Sequence, residues 1–179
     1  MSLPASGSMV RLRDLTVGDA DRLDAWSSDA EFLGEFNDFG LPPSPVDREV
    51  LAKGPFRNER NGELIVERLA GGEPIGSISW HRVAYGPNRG SSAWNIGISL
   101  IPGARGHGYG GEAQRRLADY LFAATEYDRV EASTDVDNLA EQRALEKAGF
   151  TREGGLRGAQ EGNGLKHDLV NYARLCSDS

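Results

Sequence analysis

The sequence predicts a mixed α/β fold built on a mostly antiparallel sheet with one parallel crossover. Three observations carry this. Residues 63–69, 74–84 and 92–100 read as strands joined by short turns, which is the pattern of an antiparallel meander. Residues 92–134 read as strand, glycine-rich loop, helix and strand, an order that brings two strands side by side in parallel. Residues 151–157 and 165–175 then pair as a closing hairpin around 158–164.

The elements follow in order. Val10 to Leu15 alternates as a half-buried first strand. Thr16 and Asp19 offer N-cap oxygens to a short helix carrying Ala20, Leu23, Ala25 and Trp26. Between 28 and 46, Phe32, Phe36 and Phe39 stand among Glu31, Glu35 and Asp38 before Leu41-Pro42-Pro43-Ser44-Pro45 breaks any helix. The three rings either pack one face below solvated acids or form the wall of a pocket for a cationic amine. A second short helix is expected from Asp47 to about Lys53, and Ala70-Gly71-Gly72-Glu73 marks the turn between the first two meander strands. In the main helix, Ala113, Leu117, Tyr120, Leu121 and Ala124 fall on one face at helical period. Arg129 to Thr134 is a strand. Asp137 or Asn138 caps the next helix, which stops at Gly149.

Composition sets bounds. The 179 residues suit one domain over 9–176, with 1–8 a small polar lead that is expected to be disordered or expression-derived. A net charge of −7 argues against a nucleic-acid binder and is compatible with a basic partner. No apolar run is long enough to span a membrane. One cysteine, Cys176, excludes an internal disulfide and suits a reducing, cytoplasmic setting. Three histidines without a paired spacing give no metal site.

The chemistry concentrates in Arg105-Gly106-His107-Gly108-Tyr109-Gly110, between a strand and a helix start. Such a loop aims unpaired N–H groups at one spot where the helix dipole adds positive charge, so it is a phosphate or pyrophosphate site. Arg105 adds a fixed charge beside it. Gly106, Gly108 and Gly111 also match the dinucleotide spacing G-x-G-x-x-G, with Glu131 near the position of a ribose-binding acid; that pattern belongs to a nicotinamide or flavin oxidoreductase.

The same loop resembles the Arg/Gln-x-x-Gly-x-Gly/Ala signature of the GCN5-related N-acetyltransferase (GNAT) family. Asn138, opening a helix that closes with Glu146, Lys147, Gly149 and Phe150, resembles that family's second motif, and the resemblance covers roughly residues 9–176. The ending, Gly154 to Arg157 and Gly164 to Asp168, looks most like the RimJ/RimL branch, which acetylates protein N-termini. The resemblance implies a twisted sheet flanked by helices on both faces, and acetyl-CoA as cosubstrate. Main-chain amides of Ile98, Ser99 and Leu100 and the side chain of Asn138 would bind the pantetheine arm, and Arg105 to Gly110 the pyrophosphate. For Asn138, a plain helix cap is the alternative role. A primary amine would attack the thioester directly, without a covalent enzyme intermediate.

The attacking amine must lose a proton, and His81 is the candidate base, with Asn95 able to position a water. His107 lies inside the loop, and His167 reads as a surface residue. The family's usual acids are absent: the tyrosine position is Leu145 and the serine position is Glu141. Glu141 serves as the acid if its pKa is raised and is otherwise a solvated helix residue. The missing acids also leave room for a module that binds acyl-CoA without turnover. The acceptor stays open among a protein N-terminus, an aminoglycoside, a polyamine and an amino acid, as does the choice between monomer and homodimer.

Overall fold

The computed structural model describes Leu3, residues 8–162 and residues 164–178. The expectation for residues 1–8 falls mostly outside them, although Leu3 packs against the main core and Ser8 Oγ donates to Glu112 Oε2 at 2.9 Å.

The elements run β1 (Val10–Asp14), α1 (Ala20–Ser27), α2 (Ala30–Asn37), α3 (Arg48–Ala52), β2 (Asn61–Arg68), β3 (Glu73–Ala84), β4 (Ser92–Leu100), α4 (Tyr109–Ala124), β5 (Arg129–Asp135), α5 (Leu139–Lys147), β6 (Thr151–Gly162) and β7 (Leu165–Leu175). The described strands form one seven-stranded sheet in the order β1-β2-β3-β4-β5-β7-β6. Every neighbouring pair is antiparallel except β4 and β5, the strands joined through α4. This is the mixed architecture that the meander and the single crossover predict.

Period-two alternation sorts the strands' side chains to two faces. Leu64, Val66, Ile78, Trp80, Trp94, Ile96, Val130 and Ala132 turn to one face, where Ala113, Leu117 and Leu121 of α4 and Leu145 of α5 close the main core. Ile65 turns to the other face and packs with Leu15, Ala20, Leu23 and Leu51 below α1 and α3. The second face also carries Ser77, Ser79 and His81 of β3 and Asn95, Gly97 and Ser99 of β4, so one side of the central strands is a hydrocarbon core and the other a polar floor.

Two expectations need correction. Phe32, Phe36 and Phe39 do not share one face. Gly34 takes φ 65° and ψ −176° inside α2, which breaks the helical phase: Phe32 is buried and stacked on Trp26, while Phe39 is 42% exposed beyond the helix end. The last hairpin is also longer than the glycine-rich sequence implies. β6 runs to Gly162, with a register shift between Leu156 and Gln160 where Gly158 N–H donates to Asp168 Oδ1 at 2.6 Å.

Glu112 lies in the first turn of α4, where a negative charge suits the helix dipole. Its buried carboxylate accepts from the N–H of Met9 at 3.1 Å and of Val10 at 3.4 Å, tying the start of β1 to the start of α4. No described helix is long and apolar enough to cross a membrane.

Candidate active site

Among the described residues, β4 and β5 pair at two positions, Trp94 with Val130 and Asn95 with Glu131. Beyond these each strand keeps its outer neighbour, β4 staying on β3 as far as Leu100 and β5 on β7 as far as Asp135. The two strands therefore part in the middle of the sheet. Ile96 is still buried, but Gly97 is exposed and Ile98, Ser99 and Leu100 are only half-buried. Main-chain groups on the inner edges of the fork lack a ladder partner, which suits an extended ligand that carries amides of its own.

At the end of β4, Pro102–Ala104 makes a tight turn, and Gly106 and Gly108 follow with φ of 79° and 85°. Gly108 caps α4 in the left-handed region without a side-chain cap, and the first helical bond runs from Glu112 N–H to Gly108 C=O at 3.1 Å. The N–H groups of residues 106–110 donate to no described main-chain or side-chain acceptor. Gly106, His107 and Gly108 are exposed, and a Cβ on Gly106 would meet nothing within 4 Å. N–H groups without a described acceptor, left-handed glycines and a helix N-terminus together form a cradle at the mouth of the fork that suits an anion.

Arg105 flanks this cradle, and most of its donors are in use. Nε donates to Leu100 C=O at 3.0 Å, and Nη2 to the carbonyls of Glu31 at 2.9 Å and Phe32 at 2.7 Å. Nη1 is the part of the guanidinium left for an anion. Asn138 caps α5, its Oδ1 accepting from Glu141 N–H at 3.2 Å, so its cap role is a fact of the fold. Its Nδ2 has no described partner. Tyr109 and Gly110 open α4, and the His107 ring lies 5.8 Å from that of Tyr109.

Glu141 turns inward. Its Oε1 accepts from Gln114 Nε2 on α4, and burial pushes its carboxyl up to about 7 against the opposing pull of that bond. The Gln114 side chain is itself buried, and its Oε1 has no described partner. Leu145 is fully buried in the core and offers no acid.

His81 lies on the exposed polar floor in register with Asn95, which is in register with Glu131, so the three form one row across β3, β4 and β5 at the point where the fork opens. Glu131 is buried; its Oε2 accepts from Tyr85 OH at 2.5 Å and Arg129 Nε at 3.1 Å, and its Oε1 from Asn95 Nδ2 at 3.5 Å. Glu131 thus belongs to the face opposite α4 and is held by its neighbours, which removes it as the ribose acid of a dinucleotide fold. Its place in the row was not expected; the alternation of Val130, Glu131 and Ala132 against the apolar face of α4 is the signal that finds it. His167 is also more than a surface residue: Nδ1 lies 2.8 Å from Asp135 Oδ2 and Nε2 3.3 Å from Gly162 C=O, at the wide end of the fork. Among the described residues no three His, Cys, Asp or Glu side chains are grouped to hold a metal.

Residues 10–151 match the acetyltransferase (GNAT) domain. The chain belongs to the GNAT family. It is 35% identical over 178 residues to the probable N-acetyltransferase YjcK of Bacillus subtilis, covering 96% of this chain and 97% of that one. It is 31% identical over 171 residues to the putative ribosomal N-acetyltransferase YdaF of the same organism, covering 93% and 91%. The fold superposes with a TM-score of 0.77 on RimL, a ribosomal-protein α-N-acetyltransferase solved with coenzyme A, at 19% identity over 99% of this chain and 100% of that one. This GNAT protein is an N-acetyltransferase, and its glycine motif builds the cradle at the mouth of the fork.

Proposed function

We propose that this GNAT protein transfers an acetyl group from acetyl-CoA to a primary amine, a protein N-terminus or a small-molecule amine. The observation that carries the reading is the juxtaposition of the anion cradle with the parted edges of β4 and β5. The residues present fit the coenzyme: five consecutive N–H groups without a described acceptor suit a diphosphate, and the inner edge of β4 suits an amide-bearing arm. When bound, the coenzyme supplies the activated thioester.

The chain's own groups then divide the work. Residues 105–110 hold the diphosphate, the main chain of Ile98, Ser99 and Leu100 orients the arm, and Asn138 Nδ2 donates to it while Oδ1 keeps its cap. The apolar face of the fork is filled by the main core, so the amine approaches across the polar floor below α1 and α2. There His81 Nδ1 or Nε2, directly or through a water placed by Asn95, takes the ammonium proton that must leave before nitrogen can attack. Glu141, with its carboxyl near 7, carries a proton available to the departing thiolate. The exposed free thiol of Cys176 suits the reducing cytoplasm, and the protein acts as a monomer or homodimer.

Isothermal titration with acetyl-CoA tests the first half of the reading; absence of binding at millimolar coenzyme overturns it. Thiol release against a panel of amines tests the second, with steady turnover on at least one primary amine expected.

A further inference from the structure

A cavity of about 250 Å³ lies between α1, α2 and the sheet, lined among others by Trp26, Phe32, Leu33, Val46, Glu63 and Ser77. Trp26 and Phe32 stack in parallel with ring centroids 4.9 Å apart. Glu63 is the acid on this cavity's floor, beside Ser77, and no described cation lies within ion-pair distance of it. The arginines of the neighbouring elements are engaged elsewhere: Arg13 with Asp19 and Glu67, Arg48 with Asp21 and Asp24, and Arg57 with Asp14. A carboxylate withdrawn from water without a counter-ion is costly, and burial does push Glu63 above the usual range, with Ser77 working the other way. A cation arriving from solution removes that cost, and aromatic faces beside the carboxylate favour the same charge.

The register places this cavity relative to the fork. Glu63 is opposite Ser79, and Ser79 is opposite Gly97, whose far edge borders the gap. Two inter-strand spacings make roughly 10 Å. Subtracting a hydrogen bond of about 3 Å to the carboxylate leaves about 7 Å between a cation at Glu63 and a nitrogen at the fork, the span of a five-carbon chain.

We propose that this cavity is a cation subsite for the acceptor, binding the distal ammonium of an aliphatic diamine between Glu63 and the Trp26–Phe32 pair while its other amine reacts at the fork. The inference rests on the acetyl-transfer reading given above and narrows its acceptor to linear amines with a second positive centre.

The test compares cadaverine with pentylamine, which differ by the distal ammonium. In the presence of coenzyme A, calorimetry of the wild-type protein should show cadaverine binding at least tenfold more tightly, and with acetyl-CoA its KM should be lower by a similar factor. Glu63→Gln, which keeps the shape and removes the charge, should bring the two amines level, with the acetyl-CoA titration retained as a check on the fold. Trp26→Leu should weaken cadaverine several-fold and leave pentylamine nearly unchanged. Equal affinity of the two amines in the wild type, or a preference that survives Glu63→Gln, overturns the subsite. Failure of acetyl-CoA to bind overturns instead the reading beneath it, so the two failures are told apart.

Discussion

Arg105 and Gly34 lie against each other: a Cβ on Gly34 would come within 3.3 Å of Arg105 Nη1. The contact has a reason in the backbone. The break at Gly34 deprives the carbonyls of Glu31 and Phe32 of the partners that an unbroken helix supplies four residues on, and Arg105 Nη2 takes both. The residue beside the glycine loop therefore holds α2 against the end of β4.

Gly34→Ala should destabilise the protein by about 1–3 kcal/mol, because φ 65° is strained for a side chain and the added Cβ crowds Arg105. Arg105→Ala should cost a similar ~1–3 kcal/mol through the stranded carbonyls. Urea denaturation measures both. The double variant should lose less than the sum, since each change disables the same contact.

Gly108→Asp should weaken acetyl-CoA binding at least a hundredfold by placing a negative charge where phosphate approaches. Gly108→Asn, which tolerates the left-handed φ of 85° and carries no charge, should lose far less. Calorimetric titration of the two variants separates charge from backbone strain; equal losses would contradict the cradle.

Asn138→Ala should cost about 0.5–2 kcal/mol through the lost cap of α5. Asn138→Asp restores an acceptor to the cap but not the Nδ2 donor, so it should recover thermal stability without recovering coenzyme affinity. Full recovery of both by Asp would leave Asn138 a cap alone.

Glu141 gives a pH signature. Its folded carboxyl, near 7, lies above the ordinary value of 4.5, so the native state holds the extra proton between these limits. Stability should therefore fall as pH rises from about 4.5 to 7 and stay lowered above that. Glu141→Gln should stabilise the protein by about 1–3 kcal/mol at pH 8 and by little at pH 4, read by denaturant titration. If Glu141 protonates the leaving thiolate, wild-type kcat should decline above pH 7 along a limb that the Gln variant lacks.

The sheet and its crossover were legible because short strand-like runs between turns and the spacing of Ala113, Leu117 and Leu121 are local signals. The glycine loop was legible because its donors follow from the backbone alone. Phe32, Phe36 and Phe39 misled because one glycine resets the phase between the first and the rest. Glu141 was ambiguous because its burial depends on Gln114, 27 residues earlier on another helix. Glu131 stands at the spacing of a ribose-binding acid, but distance along the chain does not reveal which face of the sheet a side chain occupies. The bonds of Arg105 to Glu31 and Phe32 span more than 70 positions, and no periodicity encodes them.

The sheet's two leaves, β1 to β4 and β5 to β6, are laced across the middle by the Trp94–Val130 and Asn95–Glu131 rungs among the described residues. On the proposed reading, a threaded coenzyme supplies the missing rungs, and saturation at a hundred times Kd adds about 2.7 kcal/mol to the folded state. Resistance to proteolysis would then rise and fall with the concentration of acetyl-CoA.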